Sequence, residues 1–272
     1  MLPQIKINRR GGFTQPMGLL DGKQGIIYGV RNERSLGWGC ALSLAREGAR
    51  IAFSVFSERE EKDVQKLVGS LPEAGHVIRR CNLTSDEDIT ALHEQLQADF
   101  GRLDFVIHAV AFSPKEGVSG RFLDINRAGF ALAIDSSTYS FVAAAKAAEP
   151  LLAEGSSLIT LTYLGAERVL PNYNTMGVAK AALEASVRYL ANDLGPQGVR
   201  VNAISAGPTM TLAARGITGF TDMHREAKER APLRKNTTTD EVGDTAAFLV
   251  SEWSRGITGE VIYVDNGLHI LG

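Results

Sequence analysis

The stretch Gln24-Gly-Ile-Ile-Tyr-Gly29-Val-Arg-Asn-Glu-Arg-Ser35-Leu-Gly37-Trp-Gly39 decides the fold class of this chain. Its apolar beginning is typical of a buried strand. The pattern over residues 35–47 predicts a helix, with Ser35 as its N-cap and Gly48 as its stop. A strand followed by a glycine-containing turn and a helix N-terminus is the arrangement that binds the pyrophosphate of a dinucleotide.

The glycines of this turn are the candidate phosphate cradle. Gly29, Gly37 and Gly39 can provide a tight turn and a bare backbone, and Ser35 can donate its hydroxyl hydrogen. The spacing is wider than in the common GxGxxG fingerprint. The position between a strand and a helix therefore supports dinucleotide binding more than the motif does.

The rest of the chain continues the alternation of strands and helices. Further strands are predicted at residues 50–56, 76–81, 103–110, 157–162, 199–205 and 260–264. Further helices are predicted at residues 58–68, 86–100, 127–152, 172–193 and 239–251. This alternation predicts an α/β fold: a single-domain, Rossmann-type, doubly wound parallel sheet of about seven strands with helices on both faces.

Two segments depart from the alternation. Residues 1–17 are predicted to be a flexible N-terminal leader, which leaves 18–272 as one domain. Residues 206–231 follow the carboxyl end of a strand and carry several apolar side chains. Because ligands bind beyond the carboxyl ends of such strands, this second segment is predicted to form a helical substrate lid, with a surface excursion as the alternative.

Composition excludes several classes of function. The chain has 29 basic and 31 acidic residues and a net charge of −2, so we expect no nucleic-acid or anionic membrane partner. No apolar stretch approaches the length of a membrane span, and the N-terminus lacks the apolar core of a signal peptide, so a cytoplasmic location is expected. Cys40 and Cys81 form no CxxC pair, and no metal site is predicted.

Tyr173 and Lys180 are the candidate catalytic pair. Their separation of seven residues is two helical turns, so both side chains project from one face of a helix. A phenol held near an ammonium group can stabilise or protonate a developing oxyanion. The alternative is a surface tyrosine and a lysine that never meet.

The end of the second strand bears on the choice between NAD and NADP. An acidic residue there binds the ribose hydroxyls, whereas an arginine accommodates a 2′-phosphate. Glu58 and Arg59 both follow this strand and argue in opposite directions. The sequence favours NADH and does not exclude NADPH.

The chain resembles the enoyl-[acyl-carrier-protein] reductases, a divergent branch of the short-chain dehydrogenase/reductases, over about residues 18–269. The glycine turn carries part of the resemblance. The other segments that carry it are Tyr163-Leu-Gly-Ala-Glu-Arg168, Pro171-Asn-Tyr173, Met176-Gly-Val-Ala-Lys180, Val201-Asn-Ala-Ile-Ser-Ala-Gly-Pro208 and Thr211-Leu-Ala-Ala-Arg-Gly-Ile217. Most short-chain dehydrogenases place lysine four residues after the catalytic tyrosine. Here Gly177 stands at that position, and the lysine, Lys180, follows Tyr173 by seven residues, which is the spacing of the enoyl reductases.

The resemblance implies a role for each matching position. Tyr173 matches the catalytic tyrosine, Lys180 the lysine that holds the cofactor, and Tyr163 a second tyrosine that either orients the substrate or packs against it. The implied cofactor contacts are Gly29, Ser35, Leu36, Asn82, Leu83, Ala109, Lys180, Thr209 and Thr211. The implied substrate contacts are Val110, Phe112, Tyr163, Met176 and Phe220.

The same resemblance implies the reaction and the partners. The expected activity is NADH-dependent reduction of the trans-2 double bond of an enoyl thioester in fatty acid biosynthesis. The expected partners are acyl carrier protein and three further copies in a homotetramer. Asn82 stands where many relatives have aspartate, and Phe56 where some NADH-using relatives have glutamine. The alternatives are a short-chain reductase that acts on a ketone or another enoyl thioester, and a non-catalytic NAD-binding protein.

Overall fold

Seven parallel strands form the centre of the structure, a computed structural model that describes residues 18–72, 75–212 and 214–271. The strands are β1 (Gln24–Tyr28), β2 (Arg50–Val55), β3 (Val77–Arg80), β4 (Leu103–His108), β5 (Leu152–Thr162), β6 (Arg200–Ala206) and β7 (Val261–Val264). They are arranged in the order β3-β2-β1-β4-β5-β6-β7. This order confirms the predicted Rossmann-type, doubly wound parallel sheet. The leader predicted at 1–17 lies outside the described residues, so the boundary at residue 18 stays a prediction.

Eight α-helices of the described residues connect these strands. They are α1 (Leu36–Arg46), α2 (Glu58–Val68), α3 (Asp86–Phe100), α4 (Arg127–Ile134), α5 (Ser140–Ala148), α6 (Asn174–Leu194), α7 (Phe220–Arg230) and α8 (Thr239–Val250). Apart from the region around α4 and α5, the predicted bounds agree with the structure to within two residues. No helix in the described part of the chain is long and apolar enough to cross a membrane.

Two apolar cores cover the two faces of the sheet. Successive residues of a strand point to opposite faces, so Ile26 belongs to one core and Ile27 to the other. One core includes Leu44 of α1 and Leu249 of α8, and the other is completed by α3, α5 and α6. Burial on both faces explains why the strands are apolar throughout rather than alternating.

The prediction of one long helix over 127–152 is wrong. The structure has α4, a π-helical turn at Asp135–Tyr139, α5 and a 3₁₀ turn at Glu149–Leu151 that contains Pro150. Strand β5 then begins at Leu152, five residues earlier than predicted. The π turn places the Thr138 hydroxyl 2.8 Å from the Ala179 carbonyl oxygen of α6, and proline cannot supply the N–H that would continue a helix.

Gly39 has a packing role in the structure, and its predicted phosphate-binding role stays a prediction. A Cβ at this position would lie 2.3 Å from the Thr239 carbonyl oxygen of α8. A Cβ at Gly243 of α8 would likewise lie 2.2 Å from the Gly39 carbonyl oxygen. Helices α1 and α8 therefore approach each other so closely that only glycine fits at the crossing.

Candidate active site

The glycine turn and the end of β4 meet at the carboxyl edge of the sheet. Gly29 has a φ of +90°, and a Cβ there would lie 2.2 Å from the Ala109 carbonyl oxygen. Only glycine accepts both conditions, which brings the turn directly against Ala109 and Val110. The structure thus places three of the predicted contact residues side by side, as the sequence predicts for the mouth of a dinucleotide site.

The Ser35 hydroxyl closes the turn from within. Ser35 is the N-cap residue of α1 by its backbone, but its side chain makes no capping bond. The hydroxyl donates to the Asn32 carbonyl oxygen at 2.6 Å and accepts from the Arg31 N–H at 3.4 Å. Donation to a phosphate, as the sequence suggested, would require the first bond to be exchanged. Leu36 opens α1, where the first N–H groups lack intrahelical acceptors.

Tyr173 lies at the N-terminus of α6 with its ring buried. The ring packs edge-on against Tyr163, with the centroids 5.1 Å apart. Burial raises the pKa of the Tyr173 phenol well above its usual value, with smaller contributions from Tyr163 and Glu184. The phenol therefore keeps its proton at neutral pH and is available as a hydrogen-bond donor.

Lys180 lies two turns further along α6 and is also buried. Its amine donates to the Leu161 carbonyl oxygen of β5 at 2.7 Å. Burial lowers the pKa of Lys180 to about 8, although the nearby Glu184 carboxyl opposes this effect. An ammonium group has three donors, so the bond to Leu161 leaves two for another ligand.

The phenol and the amine are brought together by the end of β5. Lys180 binds the carbonyl of Leu161, and Tyr173 packs on Tyr163, two residues later. Tyr173 and Lys180 thus reach the same strand end from one helix, at the edge where the glycine turn also lies. The alternative of a surface tyrosine is wrong because the Tyr173 ring is buried, and the convergence of the phenol and the amine on one cofactor stays a prediction.

Tyr163 connects this centre to the segment over 206–231. Its hydroxyl donates to the Met223 sulfur of α7 at 3.2 Å, and burial raises the pKa of its phenol. Phe220, at the start of α7, is buried, and the Asn172 amide donates to the Thr218 carbonyl oxygen. Helix α7 therefore contacts Tyr163, at the position predicted for the lid.

The remaining substrate candidates lie beside the π turn. The Ser137 hydroxyl accepts from the Phe112 N–H at 3.0 Å and lies 3.8 Å from the Met176 sulfur. Met176 is buried, whereas about half of the Phe112 side chain is exposed. These contacts place Phe112 and Met176 around Ser137, whereas Val110 lies beside Gly29.

The two threonines follow β6 at the same edge of the sheet. The Thr209 hydroxyl donates to the Gly207 carbonyl oxygen at 3.0 Å. The Thr211 hydroxyl accepts from the Ala214 N–H at 3.1 Å and so supports the beginning of the covering segment. Their position fits the predicted cofactor contacts, which stay predictions.

Asn82 and Leu83 follow β3 at one edge of the sheet. The Asn82 side-chain oxygen accepts from both the N–H and the hydroxyl of Thr84, at 3.1 and 2.9 Å. Both lone pairs are thus already used, so the predicted acceptance from the adenine amine would require these bonds to break. Leu83 is half-buried and packs against the core.

His108, at the end of β4, is a structural residue. Its ring lies 3.0 Å from the Thr160 hydroxyl and 2.9 Å from the Ser140 hydroxyl. Burial, with the charge of Lys180, lowers the pKa of His108 to about 3. A neutral ring with both nitrogens occupied has no free position for proton transfer.

Sequence analysis missed Glu184, which lies one helical turn beyond Lys180. Its carboxyl accepts from the Thr162 hydroxyl at 2.6 Å and faces the lysine. The spacing of four residues from Lys180 was visible in the sequence and is the signal that could have identified it. Among the described residues, no group of three or more His, Cys, Asp or Glu side chains could hold a metal ion.

Replacing Gly165 with alanine is expected to lower kcat at least tenfold while leaving NADH affinity nearly unchanged. The new Cβ would lie 2.3 Å from Cδ1 of Tyr173, so the ring must move from its position. Steady-state kinetics and NADH titration would measure the two effects separately. Gly256→Ala, at a position with open space, is the control; an unchanged kcat in Gly165→Ala would contradict the placement of the ring.

These residues fit a nicotinamide dinucleotide. The Gly29 turn offers the close backbone approach that pyrophosphate needs, and Lys180 holds two unused donors at the same edge. The buried phenol of Tyr173 lies on the same helix and packs on Tyr163, two residues beyond the Leu161 that binds the lysine. A Rossmann sheet with this site defines a dinucleotide-dependent oxidoreductase.

Comparisons with known proteins narrow this class. Residues 29–269 match the family model described as enoyl-(acyl carrier protein) reductase. The NADH-dependent enoyl-[acyl-carrier-protein] reductase of Bacillus cereus is 50% identical, with 94% of this chain and all of that protein covered. The NADPH-dependent enzyme of Staphylococcus aureus MRSA252 is 46% identical, with 93% of this chain and 98% of that protein covered.

Solved structures give the same result. The Bacillus cereus reductase, in complex with NADP⁺ and indole naphthyridinone, is 50% identical with a TM-score of 0.92. It is matched over 94% of this chain and 100% of its own length. The Aquifex aeolicus NADH enzyme is 46% identical with a TM-score of 0.90, over 94% and 99%. The chain belongs to the enoyl-[acyl-carrier-protein] reductase family.

Proposed function

We propose that this protein reduces the trans-2 double bond of enoyl thioesters in fatty acid biosynthesis, with Tyr173, Lys180 and Tyr163 as its catalytic residues. The observation that supports these roles is that a protonated phenol and a buried amine on one helix contact residues 163 and 161 at the end of β5. The same strand end faces the glycine turn across the carboxyl edge of the sheet.

Tyr173 stabilises the charge that develops on the substrate. When bound, NADH supplies the hydride that adds to C3 of the enoyl thioester. Tyr173 then donates a hydrogen bond to the thioester oxygen as negative charge gathers there, and one such donor is worth about 3 kcal/mol in the transition state. Its raised pKa ensures that the donor hydrogen is present.

Lys180 and Tyr163 support this step from either side. Lys180 is held by Leu161, would hold the nicotinamide ribose with its two remaining donors, and keeps the local potential positive, which favours the oxyanion. Tyr163 bonds to Met223 and thereby positions α7 against the substrate. The buried wall formed with Met176 and Phe220 excludes water from the reacting carbon.

Side-by-side assays with two substrates test the reaction. We expect NADH oxidation with crotonyl-coenzyme A and none above background with acetoacetyl-coenzyme A, because the site aims its donor at a conjugated thioester oxygen. Both substrates carry the same coenzyme A group, so each is the control for the other. Faster turnover of the ketone would identify a carbonyl reductase instead, and NADH binding without any turnover would indicate a non-catalytic protein.

Acyl carrier protein is proposed as the substrate's carrier. Acyl carrier protein is acidic, so basic residues near the mouth of the site are the candidates for its docking surface. These candidates are Arg215, Lys228, Arg230, Arg234 and Lys235. Arg230 lies 3.3 Å from Glu226 and Lys235 pairs with Glu241, whereas Lys228 is exposed on α7, the helix that covers the site. Charge reversal at Lys228 should therefore raise the KM for carrier-linked substrates more than the KM for coenzyme A-linked substrates.

A homotetramer is proposed for the same protein. Large apolar side chains are exposed on α4, the π turn and α6, and Leu132, Tyr139, Val178 and Tyr189 are examples. A surface of this kind favours association with further copies. Sedimentation at working concentration should give the mass of four chains, and the mass of one chain would contradict the proposal.

A further inference from the structure

An ion pair joins the glycine turn to the helix that follows β2. Nη2 of Arg31 lies 2.8 Å from Oε1 of Glu60. Arg31 stands three residues beyond β1, and Glu60 lies in the first turn of α2. Strands β1 and β2 are neighbours, with Tyr28 paired to Ser54, so the pair bridges the carboxyl ends of adjacent strands.

Glu60 is fixed in place by the backbone. Its second oxygen, Oε2, accepts from the Phe56 N–H at 2.9 Å, just after β2 ends. Only 16% of its side chain is exposed, compared with 61% for Arg31. The carboxylate is thus a rigid, partly shielded charge at the strand end, whereas the guanidinium reaches it from the solvent side.

The end of β2 is where Rossmann folds distinguish NAD from NADP. Glu58 and Arg59, the residues that the sequence analysis weighed, do not occupy it. Glu58 is exposed and pairs with Lys62 along α2 at 2.7 Å, and Arg59 is exposed on the same helix. Glu60 is the acidic side chain that the backbone holds at this position.

We propose that Glu60 selects NADH in this protein, by accepting from a ribose hydroxyl and by holding Arg31 in an ion pair. A 2′-phosphate placed there meets the carboxylate charge, and Arg31 can bind that phosphate only after leaving Glu60. The pair thus contains a phosphate-binding guanidinium that the carboxylate occupies. Removal of the Glu60 charge would relieve its repulsion of the 2′-phosphate and would free Arg31 to bind that phosphate. This proposal rests on the proposed function only in its use of a nicotinamide dinucleotide.

The test is Glu60→Gln, with dissociation constants for NADH and NADPH measured by calorimetry in the absence of substrate. Glutamine retains an acceptor for the Phe56 N–H but removes the charge. The wild-type protein should bind NADH more tightly, and the variant should shift the ratio of the two constants at least about tenfold towards NADPH. The ratio of kcat/KM values with crotonyl-coenzyme A should move in the same direction.

Two further variants isolate the cause. Glu58→Gln removes the same charge two residues away, and its ratio should stay that of the wild type. The double variant, with both Glu60→Gln and Arg31→Gln, should lose the NADPH affinity that Glu60→Gln gains, because that affinity comes from the freed Arg31 guanidinium. Arg31→Gln alone retains Glu60, should keep the preference for NADH, and still tests the pair if Glu60→Gln folds poorly.

The outcomes that overturn the proposal are specific. They are a wild-type protein that prefers NADPH, an unchanged ratio in Glu60→Gln, a Glu58→Gln shift of equal size, or a loss of the NADH preference in Arg31→Gln. The binding measurements need no enoyl thioester. Failure of the proposed reaction would therefore leave this test intact, and failure here would leave the reaction intact.

Discussion

Replacing Tyr173 with phenylalanine is expected to lower kcat for crotonyl thioester reduction by about 100-fold, the usual effect of losing one oxyanion donor. The ring keeps its edge-on contact with Tyr163, so the fold and the pocket walls should be preserved. Because the donor acts mainly in the transition state, kcat should fall much more than KM changes. Stopped-flow measurement of NADH oxidation would separate this step from product release.

Tyr163→Phe is the matched control for Tyr173→Phe. Its hydroxyl is bound to the Met223 sulfur, so its loss should loosen α7 and raise KM while reducing kcat less. Equal losses of kcat in the two variants would mean that both phenols act on the reacting oxygen. Wild-type kcat in Tyr173→Phe would remove the oxyanion role from Tyr173.

Replacing Lys180 with methionine is expected to abolish turnover while stabilising the fold. Burial lowers the pKa of Lys180 from 10.5 to about 8. At neutral pH the lysine is charged in both states, but only the folded protein buries this charge, which costs free energy of folding. At about 1.4 kcal/mol per pKa unit, this penalty is up to roughly 3 kcal/mol. The lost hydrogen bond to Leu161 and the lost attraction to the Glu184 carboxyl reduce the net gain to roughly 1–3 kcal/mol. Thermal melting at one fixed protein concentration would measure it.

The same pKa fixes the direction of the pH dependence. The wild-type kcat/KM should fall as pH rises through about 8, because the ammonium form holds the positive potential. Between about 8 and 10.5 the unfolded chain binds the proton and the folded chain does not, so wild-type stability should rise with pH across this interval. Lys180→Met should lack that rise.

Lys62→Met is the control for Lys180→Met. Lys62 is an exposed helical lysine that pairs with Glu58, so its loss should change stability by less than about 0.5 kcal/mol and leave turnover unchanged. A lower melting temperature in Lys180→Met would show that the buried amine contributes net stability. Retained activity would exclude it from the cofactor site.

The sheet and the main site could be predicted because their signals are local. An apolar strand, a glycine turn and a helix lie together in one short stretch, and the seven-residue spacing of Tyr173 and Lys180 needs only helical geometry. The parallel alternation then brings every strand end to one edge. The strand order itself was not predicted.

The failures have a common physical cause, which is contact between distant segments. The π turn at Asp135–Tyr139 is stabilised by a bond from Thr138 to Ala179 of another helix. Gly39 packs against α8, a helix that begins two hundred residues later in the chain. The pairing of Glu60 with Arg31, which lies 29 residues earlier, likewise depends on the folded loops, so no local pattern predicts it.

A crystal structure of the protein with NAD⁺ and a non-reducible enoyl thioester analogue tests the central claim most directly. The Tyr173 hydroxyl should lie about 3 Å from the thioester oxygen, and the Lys180 amine at a similar distance from the nicotinamide ribose hydroxyls. Either group turned away from the bound molecules, with another donor at the thioester oxygen, would contradict the catalytic roles assigned to these two residues.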